Sequence, residues 1–147
     1  MEFVGRERHV SDLFGEKLHE ARVREVVDAA LREAGITPSF TLMAPEAGSP
    51  PAYALFVECP GLPEASLRSV VRRVERDLLE GHHYAYCRRL GQLGPLRGFR
   101  VHADGNRRFV ERLAAAGQRA GSVKPALLSG ETGWSERLEG AFVEAGP

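Results

Sequence analysis

The chain has 147 residues, of which 43% are hydrophobic and 27% charged, ordinary values for one water-soluble globular domain with a substantial core. Its 20 Lys and Arg residues balance 20 Asp and Glu residues, so the overall basic field of a general nucleic-acid binder is absent. Two cysteines, Cys59 and Cys87, are too few for a disulfide framework. Neither a leader nor an apolar run of about 18 residues is present. We therefore expect a cytoplasmic protein with no membrane contact.

The N-terminal stretch, residues 3–18, combines a Gly-Arg pair, Gly5 and Arg6, with a second glycine, Gly15, ten positions later. It predicts a strand, a polar joint, a second short strand and a glycine turn that begins a helix. Lys17 places a cation two residues beyond that second glycine.

Two amphipathic helices and a hairpin are predicted in the first half of the chain. Apolar residues recur at helical spacing over 19–34, and Gly35 is suited to cap that helix. Strands are predicted at 40–43 and 52–58, joined as a hairpin across a loop that contains glycine and proline. A second helix is expected from about 64 to 79, with a buried stripe of leucine and valine.

The second half of the chain is less regular. Residues 82–92 mix aromatic and basic side chains, which favours an irregular or partly extended segment. Alternation over 96–102 predicts a half-buried strand, and Asp104 is a candidate N-cap for a helix over 106–116. Residues 134–144 are predicted to form a last helix or a strand.

These elements mix hairpin-connected strands with helices. Such an order favours an α+β fold, in which a mainly antiparallel sheet carries helices packed on one face. No internal repeat, low-complexity tract or long linker divides the chain.

Motifs for phosphate or metal chemistry are weak. No glycine-rich phosphate loop with its following lysine and no Gly-x-Ser-x-Gly elbow is present. His82, His83 and Cys87 could be metal ligands in principle, but a site needs three or four convergent donors and no second cluster accompanies them. We therefore expect ordinary surface or packed histidines and no metal site.

Three cations are candidate ligand contacts. Arg88 and Arg89, beside Tyr84 and Tyr86, could stack on a base or clamp a phosphate, although a solvated or core-supporting role is commoner. Lys124 is a rare lysine in an arginine-dominated chain; it lies on a predicted extended segment, and the proline after it stiffens the backbone. A lysine so placed can deliver a point charge to a phosphate or carboxylate. Trp134, by contrast, is expected to be a packing residue.

Several of these motifs resemble the acyl-adenylating enzymes, and more specifically the auxin-responsive acyl acid–amido synthetase family. Gly5, Arg6 and Gly15 match, at the same ten-residue spacing, a Gly-Arg-x-Asp hinge and a Gly-x-Arg-Ile-Glu turn at the start of the small C-terminal domain. Arg8 lies where the hinge aspartate or lysine usually lies, and Lys17 where the arginine lies. The closer resemblance to this family is carried by residues 11–18, by 94–96 with the strand that follows, and by 122–125, and residues 84–96 resemble its bacterial branch.

The resemblance implies a small mobile C-terminal domain of an adenylating enzyme, with residues 1–9 as a hinge remnant and residues 10–147 as a lid. Arg6, Glu7 and Arg8 would form the hinge, and Gly15 and Lys17 the turn on the acceptor side.

The resemblance also assigns a catalytic role to Lys124. The family's lysine contacts the acyl carboxylate and the α-phosphate as charge builds up during adenylation. In the plant members one residue separates this lysine from the proline, whereas Pro125 follows Lys124 directly.

The implied activity is that of an ATP-dependent ligase that joins a carboxylic acid to an amino acid through an acyl-AMP intermediate. ATP and Mg²⁺ would bind the full-length enzyme, whose N-terminal adenylate-forming domain carries nucleotide motifs that this chain lacks. The other partners would be a small-molecule acid and an amino-acid or thiol acceptor, without nucleic acid or membrane. The domain alone should be inactive and bind no cofactor tightly. Two alternatives stay open: a stand-alone binding or regulatory module of the same fold, and the lid of an acyl-CoA ligase.

Overall fold

A four-stranded sheet with helices on both faces forms the centre of the structure. The computed structural model describes residues 10–11, 16, 18–115 and 127–143. Within these ranges the helices are α1 (Glu20–Glu33), α2 (Glu64–Leu78), α3 (His82–Arg89), α4 (Gly105–Ala115) and α5 (Trp134–Arg137). The strands are β1 (Val10–Ser11), β2 (Leu18–His19), β3 (Phe40–Glu46), β4 (Ala52–Glu58), β5 (Arg97–Ala103) and β6 (Glu139–Val143).

The sheet has the strand order β3-β4-β5-β6, and β1 and β2 form a separate antiparallel pair. β3 and β4 are a hairpin whose register runs from Phe40 opposite Glu58 to Glu46 opposite Ala52. β4 and β5 run parallel, whereas β5 and β6 run antiparallel. Because parallel neighbours cannot be joined by a tight turn, the chain passes from β4 to β5 through α2 and α3.

Alternation along the strands sends one set of apolar side chains to each face of the sheet. Tyr53 and Leu55 of β4 pack in one cluster with α1, α2 and α3. Phe56 belongs to a second cluster, with Phe109 of α4 and Trp134 of α5. Trp134 is fully buried and stacks on Phe109 with ring centroids 5.1 Å apart, so its predicted packing role is confirmed.

The predicted α+β class and mainly antiparallel sheet are confirmed, since two of the three strand pairs are antiparallel. The expectation that the helices pack on one face holds for α1, α2 and α3, but α4 and α5 cover the other face. The reason lies in β4, because six of its seven residues are buried and the strand needs cover on both sides.

The two long helices form where the apolar spacing predicts them. Val23, Val26 and Val27 are among the buried residues of α1, and α2 buries a leucine and valine stripe of the same kind. Gly35 ends α1 with φ of 72°, and the next N–H, that of Ile36, donates to the Leu31 carbonyl at 2.9 Å. None of the described helices is long and apolar enough to cross a membrane.

The prediction of an irregular or extended segment over 82–92 is wrong, because residues 82–89 form α3. Its buried side chains, Tyr84 and Cys87, are three residues apart and so share a helix face. Aromatic residues and histidine have a low intrinsic helix propensity. Side-chain contacts of Tyr84 and Arg88 with α2 therefore stabilise α3 where its composition does not.

Carboxylates from the sheet hold the starts of α4 and α5. The N–H of Gly105, at the start of α4, donates to Oε1 of Glu58 at 2.8 Å. Ser135, in the first turn of α5, donates from its hydroxyl to Glu46 at 2.8 Å and from its N–H at 3.3 Å. For residues 134–144 the sequence left helix or strand open, and the described part, 134–143, contains a short helix followed by a strand.

Replacing Gly98 of β5 by alanine should destabilise the fold, because its Cβ would lie 2.9 Å from Val71 Cγ2 and 3.6 Å from Leu67 Cγ on α2. We expect the free energy of unfolding, measured by urea denaturation, to fall by about 1–3 kcal/mol. Gly130→Ala is the matched control, because its Cβ would meet nothing within 4 Å. Equal urea midpoints for the two variants would contradict a close α2–β5 contact.

Candidate functional site

Most residues that the sequence assigns to the site lie outside the described part of the chain. These residues are Arg6, Glu7, Arg8, Gly15, Lys17 and Lys124. Their roles, and the division into residues 1–9 and 10–147, therefore stay predictions. The described residues beside them show how the flanking chain is anchored.

Glu20, in the first turn of α1, anchors the segment that follows Lys124. Its Oε2 accepts hydrogen bonds from the backbone N–H groups of Leu127, at 2.8 Å, and Leu128, at 3.4 Å. The Glu20 side chain is only 12% exposed, and Arg24 lies 3.5 Å from the same oxygen. A carboxylate that accepts backbone N–H groups makes stronger hydrogen bonds than a neutral acceptor. The first turn of α1 and residues 127–128 are thus held together.

The same segment is fixed to the outer edge of β3. The N–H of Met43 donates to the Leu127 carbonyl at 2.6 Å, and the N–H of Ser129 donates to the Met43 carbonyl at 2.9 Å. Leu128 forms an isolated parallel bridge with Met43. Leu127 and Leu128 are also buried in the core. Residues 127–129 are therefore held by backbone pairing, by a carboxylate and by apolar burial.

Glu16 anchors the other predicted site segment, since it lies between Gly15 and Lys17 in the sequence. Its side chain is 2% exposed and accepts a hydrogen bond of 2.7 Å from the Tyr53 hydroxyl of β4. Glu16 and Glu20 are four residues apart. Glu16 is thus attached to β4, and residues 127–128 are attached to the first turn of α1.

A cleft of about 620 Å³ lies beside Leu127. It is lined by α1, the loop after it and the start of β3, and Asn106 and Phe109 of α4 and Leu127 complete its wall. Arg24 and Arg32 bring two guanidinium groups to the cleft and Asp28 one carboxylate, and Arg24 also lies 3.5 Å from Glu20 Oε2. The two guanidinium groups therefore have two carboxylates beside them.

Arg88 lies in a hydrogen-bonded network around Glu75 of α2. Glu75 accepts from the Tyr84 hydroxyl at 2.7 Å, from Arg88 Nε at 2.7 Å and from the backbone N–H of Leu96 at 3.1 Å. Arg88 also reaches the Leu93 carbonyl at 3.4 Å. Glu75 therefore joins α2, α3 and the start of β5, and this core-supporting arrangement occupies Arg88.

Arg89 and the histidines of α3 lie at the surface. The Arg89 guanidinium lies 5.3 Å from the centre of the exposed Tyr86 ring, in cation–π range. The rings of His82 and His83 are 5.5 Å apart, whereas Cys87 is buried. The described residues contain no group of three or more His, Cys, Asp or Glu side chains placed to hold a metal ion.

Burial changes the acidity of Tyr84. Its pKa is raised well above the usual value, first because the phenol is desolvated and then because the Glu75 carboxylate lies against it. The phenol therefore keeps its proton and acts as a hydrogen-bond donor to Glu75, and it has no acid–base role near neutral pH.

Sequence reasoning missed the anchoring roles of Glu20 and Glu75. The sequence indicates the role of Glu20 only weakly. An acidic residue in the first turn of a helix interacts favourably with the helix dipole, so its presence there does not point to a tertiary contact. Glu75 follows the buried Val74 on the helix, but nothing in the sequence identifies its partners on α3 and β5. Glu20 and Leu127 are 107 positions apart, so their contact has no local pattern.

Comparison with known proteins agrees with this architecture. The sequence profile of the GH3 family C-terminal domain matches residues 21–132, most of the chain. No curated protein sequence matches significantly.

The fold is also found in solved structures, among them the following two. A GH3.15 acyl acid amido synthetase superposes with a TM-score of 0.70 at 14% identity, covering 92% of this chain and 27% of that chain. The AtGH3.15 acyl acid amido synthetase in complex with 2,4-DB superposes with a TM-score of 0.56 at 13% identity, covering 83% and 23%. This chain thus spans about a quarter of the length of each of these proteins.

Glu20→Ala should release the segment at residues 127–128, because two backbone N–H groups lose a charged acceptor. We expect the free energy of unfolding to fall by about 1–3 kcal/mol and hydrogen exchange at the Leu127 and Leu128 amides to accelerate more than in the rest of the sheet. Glu25→Ala, which removes a 74% exposed carboxylate from the same helix, is the control and should change neither quantity much. Equal exchange at Leu127 in both variants would rule out the anchor.

The raised pKa of Tyr84 predicts a loss of stability in alkali. Above pH about 10 the unfolded chain releases the phenol proton while the folded chain keeps it, so stability that is complete below that pH declines as the pH rises. Tyr84→Phe should remove a contribution of about 1.4 kcal/mol per pH unit from this decline. Urea denaturation at a series of pH values from about 9 to 11.5 measures it. Identical slopes for the two proteins would show that Tyr84 ionises normally in the fold.

Proposed function

Because the chain belongs to the GH3 family and spans its C-terminal domain, we propose that it is the mobile lid of an ATP-dependent acyl acid–amido synthetase. The observation that carries this proposal is the family match over residues 21–132, which includes Lys124 and the segment that Glu20 anchors. The fold shared with acyl acid amido synthetases supports the same activity. The proposed product is an amide between a carboxylic acid and an amino acid.

The proposed reaction has two steps. In the first, an oxygen of the acid's carboxylate attacks the α-phosphorus of ATP, the bond to pyrophosphate breaks, and an acyl-AMP forms. In the second, the amino group of the acceptor attacks the acyl carbon, AMP leaves with the electrons of the carbon–oxygen bond, and the amine loses a proton. The lid would rotate about the hinge at Arg6, Glu7 and Arg8 between the two steps.

Lys124 is proposed to act in the first step. Negative charge builds up on the α-phosphate oxygens as the carboxylate attacks, and a lysine ammonium held there lowers the energy of that transition state. Such stabilisation is effective only when the charge is positioned in advance. The anchor at Leu127 supports this role, because the three Cα–Cα steps from Lys124 to Leu127 extend no further than about 11 Å.

Gly15 and Lys17 are proposed to serve the second step, on the side of the acceptor. Lys17 lies three residues before Glu20, as Lys124 lies three residues before Leu127. The hydrogen bond between Glu20 and Leu127 supports the proposal that the two segments act from one region of the lid. A lid with two cationic segments at one region could present a different segment in each step.

ATP and Mg²⁺ are proposed to bind mainly outside this domain. The described residues offer no cluster of acidic side chains that fits Mg²⁺. In the proposed enzyme an N-terminal adenylate-forming domain would hold the metal and the nucleotide, and supply the acid pocket. This division is consistent with a chain about a quarter as long as the structures that share its fold.

Measuring the two half-reactions separately distinguishes the proposed role of Lys124 from that of Lys17. In the polypeptide that carries both domains, Lys124→Ala should reduce ATP–pyrophosphate exchange by at least about tenfold, a loss of about 1.4 kcal/mol or more of transition-state stabilisation. Lys17→Ala should leave exchange close to wild type but slow amide formation from preformed acyl-AMP. The present chain alone should catalyse neither step.

Arg107→Ala is the control for general effects of losing a cation, because Arg107 is exposed and paired only with Asp104 and Glu111 of its own helix region in the described structure. Undiminished exchange in Lys124→Ala would remove the role of that lysine. Transfer of the acyl group to coenzyme A in place of an amino acid would assign the domain to an acyl-CoA ligase. Exchange by the isolated chain would contradict its role as a lid.

A further inference from the structure

A second cavity, of about 430 Å³, lies between α2 and the edge of the sheet formed by β5 and β6. We call it the α2–β6 groove. Its apolar residues are Val71, Leu79, Pro95, Leu96, Phe142 and Val143. Most of the surface it exposes is apolar, and its volume is in the range of small-molecule sites. It shares no lining residue with the cleft beside Leu127.

Arginines line this apolar groove along α2. Arg68, Arg72 and Arg76 are four residues apart and so lie on one face of the helix, over a length of about 12 Å. Arg97 adds a fourth guanidinium from β5, which lies 3.8 Å from the centre of the Phe142 ring. The chain as a whole has no net charge. The four arginines therefore make this groove a local concentration of positively charged side chains.

Among the described residues, Arg68 and Arg76 have acidic neighbours, and Arg72 is not free either. Glu75 is the one carboxylate that the described residues bring to the wall of the groove, and it already accepts hydrogen bonds from Tyr84, Arg88 and the Leu96 N–H. The contacts of Arg68 with Glu64, at 3.7 Å, and of Arg76 with Asp77, at 3.6 Å, are long, and one partner of each pair, Glu64 or Arg76, is mostly exposed. Pairs of this kind contribute little and are readily exchanged for another anion.

We propose that the α2–β6 groove binds an amphipathic organic anion, a small molecule with an apolar body and one carboxylate. The body would pack between Val71, Leu96 and Phe142, and the carboxylate would be held by guanidinium groups at the rim. Arginine suits this task because its planar fork matches a carboxylate and is weakly hydrated. The site is separate from the region of Lys124, so this proposal does not rest on the lid function.

The exposed apolar side chain of Leu79 is consistent with such a ligand. Leu79 is 38% exposed and belongs to the lining of the groove. A ligand with an apolar body would cover it and add burial to the electrostatic attraction. An inorganic anion would leave this apolar surface in water.

Titration of the isotopically labelled 147-residue chain with 4-phenylbutanoate, followed by amide chemical shifts, tests the proposal. Shifts should concentrate on α2, β5 and β6. Neutral 4-phenylbutan-1-ol and inorganic phosphate should each bind at least about tenfold more weakly, because each lacks one of the two recognised features. Raising the salt concentration should weaken the binding of the carboxylate.

Two variants locate the site. The double variant Arg76→Gln with Arg97→Gln should raise the Kd for 4-phenylbutanoate at least about fivefold, and Leu79→Glu should do the same by placing a carboxylate in the groove. Arg107→Gln, on the opposite face, is the control and should bind like wild type. Each variant's amide spectrum reports whether it is folded.

Three results would overturn the proposal. The first is the absence of shifts in the groove at saturating ligand. The second is equal binding of the alcohol or of phosphate, which would mean an unselective apolar surface or an adventitious ion site. The third is unchanged affinity in the folded double variant and in folded Leu79→Glu.

Discussion

The parallel pairing of β4 with β5 is the constraint on which the rest of the architecture depends. Parallel neighbours need a long connection, and here that connection supplies α2 and α3, the cover for one face of the sheet. The helix α2 then lies so close to β5 that Gly98 has no room for a side chain. The Glu75 network fixes α2, α3 and the start of β5 to one another. The same packing leaves the α2–β6 groove at the sheet edge.

Four glutamates with little exposure form hydrogen bonds that fix the relative orientation of distant parts of the chain. Apolar packing alone would not fix that orientation. Glu20, Glu46, Glu58 and Glu75 each accept at least one backbone N–H from a distant part of the chain. A desolvated carboxylate is costly unless such donors satisfy it, so each contact is strongly directional. The contact of Glu20 bears most directly on the proposed function, because the amides that Glu20 binds follow Lys124 in the sequence. The amides that Glu20 binds lie three and four positions after the residue proposed to act in adenylation.

Local patterns predicted the elements with a strong period. The helices α1 and α2, the β3–β4 hairpin, β5 and α4 lie within a few residues of the expected ranges, because apolar spacing and bounding glycines or prolines define them. The helix α3 was missed because its own composition does not favour a helix. It is stabilised by contact with Glu75 of α2, which lies eleven residues before Tyr86 at the centre of α3. The family was also predicted from motifs, and the profile match confirms it. The bacterial branch and the roles of Lys17 and Lys124 stay predictions.

The attachment of residues 127–129 to β3 has a further consequence for solubility. An outermost strand with free N–H and C=O groups is a template on which another chain can add a strand, and so a starting point for aggregation. On β3 the outward N–H and C=O of Met43 are already bonded to Leu127 and Ser129. Pro45, two positions further along the same edge, has no N–H to donate. Residues 127–129 and Pro45 thus protect part of the β3 edge from the addition of another strand.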